Sequence, residues 1–135
     1  MANIDDDGVQ ALLAGSPPNH AVINTINEDG SIHSTVVWHS LQDGKVAINS
    51  VIGRTWPTNL ERDPRCTVLV YDEHNPYDYV EIRGTASGTT VGADEHIDQL
   101  AKRFIDADRY PFHQPGEQRI TYVIEPVRVR HQKQR

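Results

Sequence analysis

The sequence is poor in cysteine, and this scarcity excludes two kinds of site. Cys66 is the single cysteine among 135 residues, so the chain can form neither an internal disulfide nor a cysteine-only metal site. A lone thiol is typical of a reducing compartment. Cys66 falls in a predicted strand without an adjacent His or Lys, so we expect a buried, unreactive thiol rather than a nucleophile.

Basic residues and long apolar runs are also scarce. The chain has 13 Lys and Arg against 19 Asp and Glu, a net charge of −6 with His neutral. Nucleic-acid binding needs a basic face, so we do not expect that function. No run approaches the ~20 apolar residues of a membrane helix, and the acidic start at residues 1–7 lacks the pattern of a secretory signal. These absences predict a cytoplasmic protein without a nucleic-acid or membrane partner.

The residues that are present predict one α+β domain over 1–135. Apolar periodicity and turn residues divide the chain into alternating helices and strands. Short helices are predicted at 3–14, 53–62 and 93–104, and strands at 20–27, 31–40, 45–50, 66–71, 79–86 and 119–130. Tight turns at 28–30 and 42–44 predict an antiparallel meander of the first three strands. Six antiparallel strands with few free faces favour a closed or nearly closed barrel with flanking short helices.

One junction carries the pattern of an anion site. The third strand runs into a turn at Gly53 and a helix begins at once, beside the donors Ser50, Arg54 and Thr55. Free N–H groups at a helix start attract anions, so an organic phosphate is the expected ligand. The alternative is that these polar residues only cap the helix.

Other motifs point less clearly to chemistry. Two tyrosines in the predicted loop 72–78 and at its end, Tyr77 and Tyr79, either stack on a flat ligand or rim the core. The seven histidines lack a metal-ligand spacing such as H-E-x-x-H, so no metal site is predicted. The chain has no nucleophile elbow, P-loop or dinucleotide-binding glycine pattern. No catalytic residue is predicted.

Several segments in fixed order resemble a known family. They are TINEDG at 25–30, STVVW at 34–38, Gly53-Arg54, Asn59-Leu60, RDPR at 62–65 and NPYDYVEIRG at 75–84. Over about residues 18–130 the chain resembles the pyridoxamine 5′-phosphate oxidase-like split β-barrel proteins, and in particular the flavin/deazaflavin oxidoreductase B group, whose best-known members use coenzyme F420. The resemblance implies a six-stranded antiparallel split β-barrel and a homodimer with cofactor sites at its interface.

The resemblance also implies roles for individual residues. The strand that carries Ser34, Val36 and Trp38 would lie along the flavin or deazaflavin ring. The phosphate would be held by Asn49, Ser50, Arg54, Thr55 and Asn59, while Pro76, Tyr77 and Tyr79 of the partner approach from the other side. Many members have Lys where this chain has Trp56. Either Arg54 and the helix dipole are enough to bind the phosphate, with Trp56 packing on the ligand, or the phosphate is bound more weakly and the cofactor or its mode of binding differs.

The implied activity is hydride transfer from reduced coenzyme F420 to an electron-poor small organic substrate. Such a protein binds and orients while the cofactor supplies the chemistry, which agrees with the lack of a catalytic cluster. A proton donor, if one is needed, would be water or a pocket hydroxyl such as that of Tyr77 or Tyr79. Alternatives are an FMN-dependent oxidase or reductase of the same fold, a non-catalytic cofactor carrier, and an interaction module without cofactor.

Overall fold

Three short helices surround one antiparallel sheet of seven strands in the computed structural model, which describes residues 2–134. The helices are α1 (Asp7–Ala14), α2 (Thr55–Arg62) and α3 (Ala93–Ile105). The strands are β1 (Ala21–Ile26), β2 (Ile32–Val37), β3 (His39–Gln42), β4 (Lys45–Val51), β5 (Arg65–Asp72), β6 (Asn75–Thr89) and β7 (Arg119–Lys133). The predicted α+β class is confirmed.

The sheet curls because its two edges are neighbours in the chain. Its strand order is β2-β1-β5-β6-β7-β4-β3, so β2 and β3 lie at opposite edges. Only Trp38 separates them, and one residue advances the chain by ~3.8 Å. The edges therefore meet at Trp38, and the sheet forms a curled half-barrel.

This corner corrects two expectations. The predicted strand 31–40 is two strands, so the sheet has seven strands and not six. The β1–β2 and β3–β4 hairpins form as predicted, but they belong to opposite edges of the sheet and do not make a continuous meander. The period-2 pattern runs unbroken through Trp38, which is why the sequence gives no sign of the bend.

The core lies on the concave side of the sheet, where alternate strand residues point inward. Ile23, Ile48, Val68, Ile82 and Ile124 are fully buried there. Each such side chain contributes roughly 1.5–3 kcal/mol when fully buried. Helices α1 and α2 close this side with apolar faces that include Val9 and Leu13 of α1 and Leu60 of α2. Helix α3 packs on the opposite face of β4 and β7, where His96 contacts Asn49 and Thr121.

Long-range pairing extends the sheet beyond the predicted strands. The strand β6 begins at Asn75, which pairs with Asp72 of β5, and Asp78 and Tyr79 pair with Lys133 and Gln132 of β7. The predicted loop 72–78 therefore shrinks to a two-residue turn, and Pro76 to Tyr79 lie on a strand. The predicted helix 3–14 begins only at Asp7, and the helix predicted at 53–62 begins at Thr55. No helix within residues 2–134 is long and apolar enough to cross a membrane.

Candidate active site

A cavity of about 400 Å³ opens where the Trp38 corner, the ends of β4 and α2, and α3 meet the segment after α3. Its volume is in the range of small-molecule pockets. Of the predicted cofactor residues, it is lined by Val36, Trp38, Asn49, Ser50, Arg54 and Trp56. The rest of its wall includes His20, Ile97, Leu100, Tyr110, Phe112 and Arg119. Charged and polar groups thus share one cavity with aromatic rings.

Arg119 is the buried cation of this cavity. Its side chain is only 4% exposed. One Nη donates to Asn49 Oδ1 at 3.3 Å, and the other donates to Glu117 Oε2 at 3.3 Å. The guanidinium lies 4.6 Å from the centroid of the Tyr110 ring. Its Nε has no hydrogen-bond partner among residues 2–134. Leaving a buried donor unpaired costs ~1–3 kcal/mol, so an anion that accepted from Nε would remove a standing penalty.

Asn49 holds Arg119 in place. Its Nδ2 donates to the carbonyl of Ala93 at 2.9 Å and to His96 Nδ1 at 3.3 Å, while Oδ1 accepts from Arg119. The side-chain amide is therefore fully occupied by protein groups. Although Asn49 lines the cavity, its observed bonds position the guanidinium.

His96 anchors this arrangement to α3. His96 Nδ1 lies 3.0 Å from Thr121 Oγ1 and 3.3 Å from Asn49 Nδ2, and Nε2 lies 2.9 Å from Ser40 Oγ. Burial lowers the pKa of His96 to about 4, so the ring is neutral at pH 7. The residues Ser40, His96, Asn49 and Arg119 form one continuous hydrogen-bond network.

Arg54 provides a second cation at the start of α2. Its side chain is 54% exposed, and Nη2 lies 3.5 Å from Glu117 Oε1. No side chain caps the helix, and Pro57 in its first turn lacks an N–H. The backbone N–H of Arg54 already bonds to the carbonyl of Val51. The N–H groups left to an anion at this helix start are those of Thr55 and Trp56.

The two tryptophans play different parts. Trp38 is half-buried and stacks on Phe104, with ring centroids 5.6 Å apart and an 8° angle between the planes. The Tyr110 ring contacts the Trp38 ring edge-on, with the two ring centroids 6.0 Å apart. Trp56 is only 4% exposed and packs 5.6 Å from the Tyr122 ring. It therefore has little free surface on which a ligand could pack, and its indole belongs mainly to the core.

The other predicted site residues lie away from this cavity. Ser34 Oγ donates to Asn24 Oδ1 at 2.6 Å, on the outer side of the sheet. Asn59 is buried and ties α2 to the end of β1, since its Nδ2 donates to Thr25 Oγ1 at 3.1 Å and to Asn27 Oδ1 at 2.9 Å. Thr55, Pro76 and Tyr77 are exposed, and Tyr79 is half-buried on β6. Within a single subunit, these residues do not join the cavity.

Sequence reasoning missed the residues that follow α3. Tyr110, Phe112, Glu117 and Arg119 come from one segment that the periodicity marks as loop and strand start. No signal in the sequence marked Arg119 and Thr121, because they alternate with the core residues Ile120, Tyr122 and Ile124 as the polar residues of an exposed strand face do, and only α3 buries them.

His20 at the rim of the cavity was missed as well. Its Nδ1 lies 2.6 Å from Glu73 Oε1, and this contact lowers the pKa of Glu73. The same carboxylate oxygen accepts from the His20 backbone N–H at 3.1 Å. Glu73 therefore fixes both the ring and the backbone of His20 beside the cavity.

The outer face of the sheet carries a second, larger cavity of about 720 Å³. Its wall includes Ile26, Ile32 and Val127. Ile32 is 62% exposed, Val36 65% and Val127 71%. Exposed apolar side chains grouped in this way mark a surface that binds another molecule. Val36 lines the first cavity too, so the apolar surface and the candidate site adjoin.

The sequence analysis made two further predictions about reactive groups, one for Cys66 and one for a metal site. Cys66 is buried in β5, as predicted, and burial raises the pKa of its thiol to about 12. Among the described residues, no three His, Cys, Asp or Glu side chains come together as a metal-ion site.

Comparison with known proteins places the chain in a family. The model of the pyridoxamine 5′-phosphate oxidase family matches residues 6–133, so the chain belongs to this family, which includes flavin- and deazaflavin-binding oxidoreductases. The resemblance at the superfamily level is confirmed. No curated protein matches the chain.

Solved structures show the same fold at low sequence identity. An F420 reductase is 22% identical with a TM-score of 0.78, over 93% of this chain and 98% of that one. A conserved hypothetical protein of Mycobacterium tuberculosis is 21% identical with a TM-score of 0.72, over 95% and 84%. General Stress Protein 26 of Bacillus anthracis is 18% identical with a TM-score of 0.69, over 93% and 92%. At these identities the likeness is one of fold.

Proposed function

We propose that this protein is a coenzyme F420-dependent oxidoreductase that reduces an electron-poor small organic substrate. The observation that carries the proposal is the cavity at the Trp38 corner, which joins a buried arginine with an unpartnered Nε to an aromatic wall. Such a combination suits a ligand with an anionic end and a planar ring. FMN, with the same two features, is the second candidate.

The anionic end of the cofactor fits the Arg119 side of the cavity. Arg119 would donate from Nε, Arg54 would approach from the exposed side, and the N–H groups of Thr55 and Trp56 point from the helix start. This replaces the arrangement suggested by the resemblance, in which a missing lysine at Trp56 left the phosphate short of a positive charge. We propose that Arg119 supplies that charge from β7.

The ring of the cofactor fits the apolar side of the same cavity. Trp38 and Val36 form one wall, and Tyr110 covers the Arg119 guanidinium. When bound, the reduced deazaflavin would supply a hydride to an electron-poor double bond of the substrate. The residues of the chain bind the phosphate, orient the ring and exclude water. His20, held by Glu73, is a polar group at the rim that is available to the substrate.

A homodimer with cofactor sites at the interface is part of the proposal. The exposed apolar side chains Ile32, Val36 and Val127 support it, because Val36 adjoins the cofactor cavity and a second subunit on this face would complete that cavity. In such a dimer, the second subunit would bring its Pro76, Tyr77 and Tyr79 to the other side of the cofactor. Sedimentation of wild type and of Val127→Glu tests this point: we expect a dimer that the variant weakens, and a monomeric wild type would contradict it.

Cofactor titration tests the function. The apoprotein is titrated with coenzyme F420 and with FMN, each followed by fluorescence, and the reduced form of the tighter ligand is then mixed with enones, nitro compounds, quinones and tetrapyrroles. We expect tighter binding of F420 and loss of its reduced form with at least one substrate. Tighter FMN binding would reverse the order of cofactors. Binding without any oxidation would identify a carrier, and no binding would refute the proposal.

A further inference from the structure

Glu117 lies between the two arginines of the candidate anion site. Its Oε1 is 3.5 Å from Arg54 Nη2 and its Oε2 is 3.3 Å from Arg119 Nη2. The side chain is only 11% exposed, and Glu117 does not itself line the cavity. His113 Nδ1 is at the limit of contact, 4.0 Å from Oε2. A carboxylate therefore sits behind the cations to which an anion would bind.

This arrangement sets the charge of the site. Two guanidinium groups and one carboxylate leave a net charge of +1. Because Glu117 is largely shielded from water, its field is screened less than that of a surface carboxylate. Repulsion from Glu117 grows in proportion to the negative charge of the ligand. Glu117 thus lowers the affinity for an anion with two charges more than the affinity for an anion with one.

We propose that Glu117 is a specificity-determining residue that shifts the selectivity of the site toward a phosphodiester and away from a phosphomonoester. The inference rests on the proposed function, since it assumes that this cavity holds a phosphate-bearing cofactor. The phosphate of coenzyme F420 is a diester to lactate and carries one charge. The terminal phosphate of FMN is a monoester, and phosphomonoesters carry about −1.5 to −2 at pH 7. Glu117 therefore selects between the two candidate cofactors.

A purely structural role for Glu117 predicts something different. If the carboxylate only holds Arg54 and Arg119 in position, its loss disturbs the arginines and changes the binding of every phosphate by a similar factor. A charge-selecting role predicts unequal factors that follow the ligand charge. The test must therefore vary the charge of the phosphate while it keeps the ring constant.

Three flavins form such a series. Riboflavin has no phosphate, riboflavin 4′,5′-cyclic phosphate is a diester with one charge, and FMN is a monoester. Each is titrated at low ionic strength and pH 7.5 into wild type and Glu117→Gln, in which an amide of the same shape replaces the carboxylate. We expect unchanged riboflavin affinity, a rise of about threefold for the cyclic diester and a rise of about tenfold for FMN, because the logarithm of the factor scales with charge.

Control variants secure the result. Glu125→Gln removes a carboxylate that pairs with Lys45 on the β3–β4 side of the sheet, outside the cavity, and it should leave all three affinities unchanged. Glu117→Ala makes the same charge change if Glu117→Gln does not fold. Equal factors for the diester and the monoester, or no change for either, would overturn the role of Glu117.

A wrong cofactor assignment can be distinguished from a wrong role for Glu117. If neither coenzyme F420 nor a flavin binds wild type, the cofactor assignment is wrong. The charge rule is then tested by methyl phosphate and dimethyl phosphate alone, followed through the NMR shift of the Arg119 Nε–H. A gain in affinity for methyl phosphate in Glu117→Gln that exceeds the gain for dimethyl phosphate supports the rule, and equal gains refute it.

Discussion

Two buried histidines predict that the protein loses stability steeply in mild acid. His39 is fully buried, and His96 is 2% exposed. Desolvation lowers the pKa of each ring from its ordinary value of 6.5 to about 4. The bonds of both rings suit the neutral form. His39 Nε2 donates to the carbonyl of Asn19 at 2.7 Å, and its Nδ1 has no hydrogen-bond partner among residues 2–134. The side chains bonded to His96 are the neutral groups of Ser40, Asn49 and Thr121.

The direction and size of the effect follow from linkage. Because the folded-state pKa is below the unfolded one, the unfolded chain binds more protons between pH 6.5 and about 4. The stability is complete above pH 6.5 and falls as the pH drops through this window. As the pH falls through this window, each histidine lowers the free energy of unfolding by ~1.4 kcal/mol per pH unit. Over the whole pKa shift, from 6.5 to about 4, this amounts to about 3 kcal/mol per histidine. Both together would remove much of the ~5–15 kcal/mol typical of a domain.

Carboxylates act in a lower range of pH. Asp63 has its pKa lowered to about 2, chiefly by hydrogen bonds from Arg65. Its contribution is therefore complete above its ordinary value of 3.8 and is lost as the pH falls toward 2. Glu73 has its pKa lowered from 4.5 by His20, so its contribution is also lost only below that value. The loss between pH 6.5 and 5 belongs to histidine.

The assay is urea unfolding at pH 7.5, 6.5, 5.5 and 5.0. His39→Leu removes one titrating ring and should reduce the slope by about 1.4 kcal/mol per pH unit, even though the variant is less stable at pH 7.5. His96→Gln should do the same. His74→Gln serves as control, because His74 is exposed on the β5–β6 turn. A wild-type slope that both core variants retain would refute the reasoning.

Other predictions concern the cavity and the sheet. Arg54→Ala should weaken binding of the phosphate-bearing cofactor by about 1.5 kcal/mol and Arg119→Met by about 3 kcal/mol, since a charge-assisted bond contributes more where water is excluded. Isothermal titration with phosphate-bearing and phosphate-free ligands measures both losses, and unchanged ratios of the two affinities would place the anion site elsewhere. Gly84→Ala should destabilise the fold by about 1–3 kcal/mol, because a Cβ at this position would lie 2.2 Å from the carbonyl oxygen of Glu125. Urea unfolding beside the exposed-position control Ser87→Ala checks this, and equal stability of the two variants would contradict it.

Local pattern was enough to place most elements. The spacing of Ile97, Leu100, Ala101 and Phe104 predicts the helix 93–104, and the structure has α3 at Ala93–Ile105. The β-branched residues of 20–27 predict a strand, and the structure has β1 at Ala21–Ile26. These features follow from the 3.6-residue and 2-residue periods, which depend on neighbours in the chain alone. The strand–helix junction at Gly53 was visible for the same reason.

The bend at Trp38 and the assembly of the cavity came only with the tertiary structure. Pairing of Asn49 with Thr121 across β4 and β7 brings Arg119 beside the start of α2, and no local signal encodes a contact between residues 70 positions apart. The sequence by itself determined the three helices, most of the strands and the apolar face of α3. The curl of the sheet decided which charges share a cavity, because that choice depends on hydrogen-bonded register between distant strands and on the burial that the register imposes.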